Sequence, residues 1–147
     1  MKRTSIALIA TTLALWLAGG VASGGGRSER LQLRSTSVGK IIVNGRSFTV
    51  YAFTRDGHNH DSCVSISGCA HIWPPLESAG RAIAGAGLKS SLVGSTTLRG
   101  AAKQVTYAGH PLYTYSGDSR PGETSYVNFS AFGGHWPALN AAGQEVR

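Results

Sequence analysis

Short runs of alternating apolar and polar residues dominate the chain after residue 40 and predict β-strands. The apolar run 41–43 is followed by Asn44-Gly45 and then by a second extended stretch over 46–53. An Asn-Gly pair between two such runs is a strong signal for a two-residue hairpin turn. Alternate side chains of the second strand would face opposite sides, with Phe48, Val50 and Ala52 on one side and Thr49, Tyr51 and Phe53 on the other.

The same arrangement recurs toward the C-terminus. Residues 104–107 and 112–115 are strand candidates around a turn at 108–111, and residues 95–99 are a third, weaker candidate. No window after residue 40 has a long apolar period of 3.6 residues, and the small, Gly-rich stretch 78–93 allows at most a short helix. The pattern therefore predicts an all-β domain.

An imperfect two-fold repeat underlies this arrangement. Each copy contains a Tyr-x-aromatic-x-x-Asp motif, and a Trp-Pro pair follows the tyrosine after 22 positions in the first copy and 23 in the second. We call residues 41–77 the first repeat and residues 104–142 the second repeat. Two repeats that each leave an apolar face uncovered would bury it against one another, which predicts a compact antiparallel β domain with pseudo-two-fold symmetry. The motif residues are Tyr51, Phe53, Asp56, Trp73 and Pro74 in the first repeat and Tyr113, Tyr115, Asp118, Trp136 and Pro137 in the second.

The N-terminus has the three parts of a secretory signal peptide. Two basic residues precede an apolar run over 6–18, and small residues follow up to Ser23. The run is shorter than the about 20 residues of a transmembrane helix. We therefore predict a cleaved leader over 1–23, no transmembrane anchor after cleavage, and an extracytoplasmic product that is secreted or associated with the cell envelope. Residues 17–20 resemble a bacterial lipobox, but Gly20 stands in place of the cysteine that takes the lipid, so a standard lipid anchor is not expected.

Charge is distributed unevenly along the chain. The formal net charge is +7, yet from residue 41 onward eight Lys or Arg face six Asp or Glu. We predict a flexible basic linker over 24–40 and a two-repeat β domain over 41–147. The linker could touch anionic polymers or lipid headgroups, although a solvated segment is the favoured interpretation. No basic stripe interleaved with aromatic residues predicts specific nucleic-acid binding.

The two cysteines, Cys63 and Cys69, lie close together in a chain bound for an oxidising compartment, where thiols pair. A disulfide across so short a loop would stabilise the domain by about 2 kcal/mol in the chain-entropy model. It would hold a local loop and would not join distant parts of the fold.

The motif residues admit two interpretations. Asp56 and Asp118 could be the paired carboxylates of a carbohydrate-active hydrolase. An Asp just after a strand, followed by Gly57 or preceded by Gly117, more often accepts backbone N–H groups and shapes a turn. The motif aromatics could form a ligand platform, but aromatics at alternate strand positions of so small a domain more often form its core. The prolines of the two Trp-Pro pairs cannot extend a strand ladder.

Three histidines, His58, His60 and His71, flank the cysteine loop. Imidazole binds transition metals and haem iron, so these residues are the candidate ligands of a metal or haem site. Against this, Cys-x5-Cys is wider than the usual zinc spacing, and the chain has no Cys-x-x-Cys-His for covalent haem. No cofactor is predicted, and a histidine-based metal or haem site stays an alternative.

The combined motifs resemble the bacterial secreted repeat family, whose members are often predicted lipoproteins with the Tyr-x-(Phe/Trp/Tyr)-x-x-Asp motif. The resemblance rests on this motif in both repeats, on Gly68-Cys69-Ala70-x-x-Trp73-Pro74-Pro75-Leu76, and on the second-repeat residues 109–122, and it covers about residues 40–142. It implies location and repeat architecture, while the biochemical role of the family is unassigned. The missing lipobox cysteine and the lack of a cysteine pair in the second repeat depart from the pattern.

No phosphate-binding loop, nucleophile elbow or His-Glu-x-x-His motif is present. We therefore expect a non-enzymatic extracytoplasmic repeat module, structural or ligand-binding, with unknown ligand and partner and a possible place in the bacterial envelope. The alternatives are a histidine-based metal- or haem-binding accessory protein and a hydrolase that uses Asp56 and Asp118.

Overall fold

The computed structural model describes residues 26–147, so the predicted leader and lipobox lie outside the described residues. Ten short strands account for most of the regular structure: β1 Arg30–Thr36, β2 Gly39–Val43, β3 Ile83–Ala84, β4 Val93–Thr97, β5 Lys103–Tyr107, β6 His110–Pro111, β7 Phe129–Ala131, β8 Gly134–Trp136, β9 Ala138–Leu139 and β10 Glu145–Val146. Within the described part, the one α-helical turn is α1, Cys69–Ile72, and three 3-10 turns cover Cys63–Ser65, Ser90–Leu92 and Arg99–Ala101. The all-β prediction is confirmed. No helix in residues 26–147 is long and apolar enough to cross a membrane.

The prediction of a flexible linker over residues 24–40 is wrong for its second half. Strand β1 pairs antiparallel with β2 over five residue pairs, and its first two residues also pair in parallel with β3. Leu31 is fully buried in the main hydrophobic core, and Leu33 packs against the same core. The basic side chains Arg30 and Arg34 are exposed. The segment is therefore an amphipathic strand whose charges lie on its outer face.

The predicted two-residue hairpin at Asn44-Gly45 is also wrong. The main partner of β2 is β1. Toward residues 46–53, β2 makes an isolated bridge from Val43 to Thr49, and the carbonyl of Ile42 accepts the N–H of Val50 at 3.4 Å. The side chain of Asn44 accepts the backbone N–H groups of Arg46 and Phe48, both at 3.0 Å, and so forms a wider turn. An Asn side chain that binds the backbone in this way competes with the tight turn.

The second hairpin follows the sequence pattern. Strand β5 pairs antiparallel with β4 and with β6, in the order β4-β5-β6. Ala108 and Gly109 connect β5 to β6 with φ of 51° and 82°. Positive φ at both residues is the geometry of a tight two-residue hairpin turn. The predicted hairpin is thus confirmed, but its turn is narrower than 108–111, because His110 and Pro111 already form β6. The weaker strand candidate at 95–99 overlaps β4.

Buried side chains form two large clusters on opposite sides of the segment 50–53. Val50 and Ala52 belong to an aliphatic core with Leu31, whereas Tyr51 and Phe53 belong to an aromatic core that includes both cysteines. The predicted alternation along this segment is confirmed for these four residues. Because the segment separates the two cores, it carries motif side chains into the aromatic one.

Candidate functional site

The two motif segments meet at a pair of tyrosines. The backbone N–H of Tyr51 donates to the carbonyl of Tyr113, and the N–H of Tyr113 donates to the carbonyl of Tyr51, both at 2.9 Å. This antiparallel bridge joins the first repeat directly to the second. The residues that come after each tyrosine are therefore brought beside the other repeat.

Further backbone bonds cross between the repeats in matching pairs. Thr114 donates its N–H to the carbonyl of Pro74 at 3.0 Å, and Ala52 donates its N–H to the carbonyl of Pro137 at 2.9 Å. Each proline of a Trp-Pro pair thus accepts a hydrogen bond from the residue after the tyrosine of the opposite repeat. Since proline has no N–H to donate, its carbonyl is the only backbone group it can use in this contact.

Two fully buried tryptophans lie at the centre of the aromatic core. The rings of Trp73 and Trp136 stack with centroids 4.1 Å apart and planes 3° from parallel. Tyr51 meets Trp73 edge-on at 5.1 Å, and Tyr113 meets Trp136 edge-on at 5.2 Å. Edge-to-face contacts at these distances each stabilise a fold by about 0.5–1.5 kcal/mol beyond area burial.

The motif aspartates bind the tyrosines of the opposite repeat. The hydroxyl of Tyr113 donates to Oδ2 of Asp56 at 2.8 Å, and the hydroxyl of Tyr51 donates to Oδ2 of Asp118 at 3.0 Å. Asp56 also accepts the backbone N–H of Ser62 at 2.8 Å. The sequence pattern favours a turn-shaping role for each aspartate within its own repeat. The structure instead brings each of them to the other repeat, and only Asp56 accepts a backbone N–H as well among the described contacts.

Burial changes the pKa values of the two motif aspartates and of the tyrosines that donate to them. It raises the pKa of Asp56 to about 6 and that of Asp118 to about 6, and hydrogen bonds from the tyrosines only partly offset it. Burial also raises the pKa of Tyr51 and Tyr113, so both phenols stay protonated. Because desolvation penalises the charged carboxylate, each aspartate keeps its proton to a higher pH than a free aspartate does.

The two carboxyls border different surface cavities. One cavity, of about 250 Å³, is lined by Asn44, Arg46, Phe48, Thr114, Tyr115 and Asp118. The other, of about 160 Å³, is lined by Asp56, Gly57, His58, Ala108, Gly109 and His110. The structure therefore does not place both carboxyls around one cleft. Sequence reasoning missed Arg46, Phe48 and Thr114, because only the fold brings them beside Asp118.

Sequence reasoning also missed Asp61. It is 6 % exposed, and its Oδ1 accepts the N–H of Val64 while its Oδ2 has no hydrogen-bond partner. Its charge helps to raise the pKa of the neighbouring Asp56 and of Tyr113. Nothing in the local pattern distinguishes this residue from an ordinary loop aspartate, so the sequence offered no signal for it.

The cysteines and histidines do not form a common site. Cys63 and Cys69 are joined by a disulfide, as predicted, and both are fully buried beside Trp73. His58, His60 and His71 are exposed. In residues 26–147 no three His, Cys, Asp or Glu side chains are grouped so that they could hold a metal ion.

Comparison with known proteins relates the second repeat to a described family. Residues 99–140 match a family model described as a secreted repeat of unknown function. The matched range contains all five motif residues of the second repeat. Searches of curated proteins and of solved structures give no significant match.

Proposed function

We propose that this chain is a non-enzymatic extracytoplasmic repeat module, structural or ligand-binding, whose Tyr-aromatic-Asp motif joins two pseudo-symmetric halves. The observation that carries the proposal is the exchange of hydrogen bonds between the repeats, from Tyr113 to Asp56 and from Tyr51 to Asp118. The most polar motif groups are used inside the domain, where they connect its parts. Their recurrence in each repeat then has a structural reason.

The geometry of the carboxyls argues against the hydrolase alternative. A glycosidase needs two carboxyl groups on either side of one scissile bond, whereas Asp56 and Asp118 border different cavities. A general acid or base must also reach its substrate within hydrogen-bond distance. The tyrosine of the opposite repeat holds each carboxyl at its own cavity, so the two carboxyls do not lie on either side of one substrate bond.

An extracytoplasmic location has two supports. The matched family is described as secreted, and the Cys63–Cys69 disulfide suits an oxidising compartment, where such bonds form and persist. Location in a bacterial envelope, and the choice between a purely structural role and ligand binding, are part of the proposal.

A double-mutant cycle tests the joining role. Tyr51→Phe combined with Asp118→Ala should show a coupling free energy of about 1 kcal/mol, because the two side chains share a hydrogen bond. The matched control pair is Tyr51→Phe with Asp56→Ala, whose members are not bonded to each other and should add within about 0.5 kcal/mol. Chemical denaturation measures all four free energies of unfolding in each cycle.

An activity assay completes the test. The purified protein should not hydrolyse chromogenic glycosides. Turnover that is abolished by Asp56→Asn or Asp118→Asn in a protein that still folds would refute the proposal, as would equal coupling in the two mutant cycles.

A further inference from the structure

The cavity beside Asp118 has the features of a binding site for a small charged molecule. The turn at 44–48 of the first repeat forms one wall, and residues 114–118 of the second repeat form the other. The cavity thus exists only because the two repeats are joined, so a binding role for it rests on the proposed joining function. Its volume of about 250 Å³ lies just below the ≈ 300–1,000 Å³ typical of sites for drug-sized ligands, which limits an occupant to a small molecule.

The cavity beside Asp56 is built from the corresponding parts of the opposite repeats. It lies between the turn at 108–110 and the loop at 56–58. The ring of His58 lies so close to Gly109 that a methyl group added there would collide with Nδ1 of the histidine. This second cavity is smaller and has no arginine in its lining. The two cavities therefore differ in size and in charge, and only the Asp118 cavity combines an arginine and an acidic side chain in its lining.

Opposite charges line the Asp118 cavity without forming an ion pair with each other. Arg46 and Asp118 both line it, yet among residues 26–147 the ion pair that forms is between Arg147 and Glu145. The guanidinium of Arg46 lies over the ring of Phe48, 5.8 Å from its centroid. A guanidinium fork suits a carboxylate, and a carboxylate beside an aromatic face suits an ammonium group.

Both walls are held in place before any ligand binds. Asn44 is 2 % exposed, and its side chain fixes the turn that carries Arg46 and Phe48. On the opposite wall, the N–H of Asp118 donates to the carbonyl of Tyr115 at 3.2 Å, and the ring of Tyr115 packs on Trp73 at 4.4 Å. Because both walls are already fixed, the protein loses less conformational entropy when a ligand binds.

We propose that this cavity binds a free α-amino acid, with Arg46 on its carboxylate, Asp118 on its ammonium group, and Phe48 and Tyr115 beside its side chain. The two opposite charges select for a zwitterion. A neutral sugar would stack on the rings but would leave the guanidinium without an anion. A simple carboxylate would leave Asp118 without a cation.

Calorimetric titration of the full secreted chain tests the proposal. The probes are L-leucine and L-glutamine, with N-acetyl-L-leucine, L-leucinamide and methyl glucoside as comparisons. We expect saturable one-to-one binding of at least one free amino acid. N-acetyl-L-leucine and L-leucinamide, which each lack one of the two charged groups, should bind about tenfold or more weakly than leucine. The reason is that losing a charge-assisted hydrogen bond costs more than about 1.4 kcal/mol, which corresponds to tenfold in affinity.

Variants assign the site. Arg46→Gln and Asp118→Asn should each weaken binding about tenfold or more, whereas the matched variant Asp56→Asn, at the smaller cavity without an arginine, should bind as the parent does. Near-ultraviolet circular dichroism of the stacked tryptophans reports that each variant is folded. Arg46 is exposed and its side chain makes no hydrogen bond among the described contacts, so its substitution tests binding without disturbing the joined repeats.

Three results would overturn the inference. These are no saturable binding of either amino acid to the folded protein, binding of N-acetyl-L-leucine and L-leucinamide as tight as that of leucine, or methyl glucoside binding that is unaffected by Arg46→Gln. None of them alters the coupling between Tyr51 and Asp118. A failure of the binding proposal is therefore distinguishable from a failure of the proposed joining role.

Discussion

At the scale of single residues, the Tyr–Asp pairs combine a hydrogen bond with a buried acid. The free acid has a pKa of 3.8, and burial raises the pKa of both Asp56 and Asp118 to about 6 in the folded domain. A folded-state pKa above the unfolded value means that the folded state binds protons more tightly. The stability from these two groups is therefore fully present below about pH 4 and is lost as the pH rises through about 6.

Replacing Asp118 with Asn should remove this pH dependence at one site. The amide oxygen still accepts a hydrogen bond from Tyr51, but no charge has to be buried. The melting temperature of Asp118→Asn minus that of the parent should therefore be larger at pH 8 than at pH 5. Other charges near the centre are Glu123 beside Asp118, and Asp61 and His60 beside Asp56, and they are unchanged by the substitution. Thermal unfolding followed by tryptophan fluorescence measures the difference, and a pH-independent difference would contradict the prediction.

At the scale of elements, strand β1 is part of the folded domain. Leu31→Ala should lower the free energy of unfolding by about 2–5 kcal/mol, because it leaves a cavity in the main core. The matched control is Ser35→Ala on an exposed position of the same strand, which should change it by less than about 0.5 kcal/mol. Urea denaturation measures both. Equal, small effects would show that the segment behaves as a linker in solution.

The disulfide acts on a single loop. Replacing both Cys63 and Cys69 with Ala should lower the free energy of unfolding by about 2 kcal/mol, since the closed loop is short. Trp73 lies beside the disulfide in the aromatic core, so we expect its local packing to loosen while β4 and β5 stay paired. Hydrogen exchange measured residue by residue should show faster exchange around 63–73 and little change in β5. Uniformly faster exchange would indicate that the loop supports the whole fold.

At the scale of the whole molecule, each repeat completes the other. The tryptophan stack, the tyrosine bridge and the Tyr–Asp bonds all cross between repeats. A chain of residues 99–147 alone would expose Tyr113 and Trp136, both fully buried in the intact domain. We expect this fragment to remain unfolded by circular dichroism and to fold on addition of residues 26–98. A well-dispersed NMR spectrum of the isolated fragment would contradict this.

Much of the local structure could be predicted from the sequence. The alternation over 50–53, the hairpin around 108–109 and the disulfide between the only two cysteines all depend on near neighbours or on composition. Local pattern failed where a distant partner decides the outcome. Residues 30–36 look like part of a basic linker because Arg30 and Arg34 belong to a basic, Gly- and Ser-rich stretch, and they form a strand because Leu31 reaches the core.

The two-fold recurrence with its Tyr, Asp and Trp-Pro positions was determined by the sequence alone, since spacing and side-chain type are written along the chain. Only the tertiary structure decided that Asp56 belongs with Tyr113 and Asp118 with Tyr51. It also decided that Arg46 and Phe48 face Asp118 across a cavity. The physical reason is that hydrogen bonds and charge contacts depend on the distance between groups in space and not on their separation along the chain. Here, that distance is set by how the two repeats pack on one another.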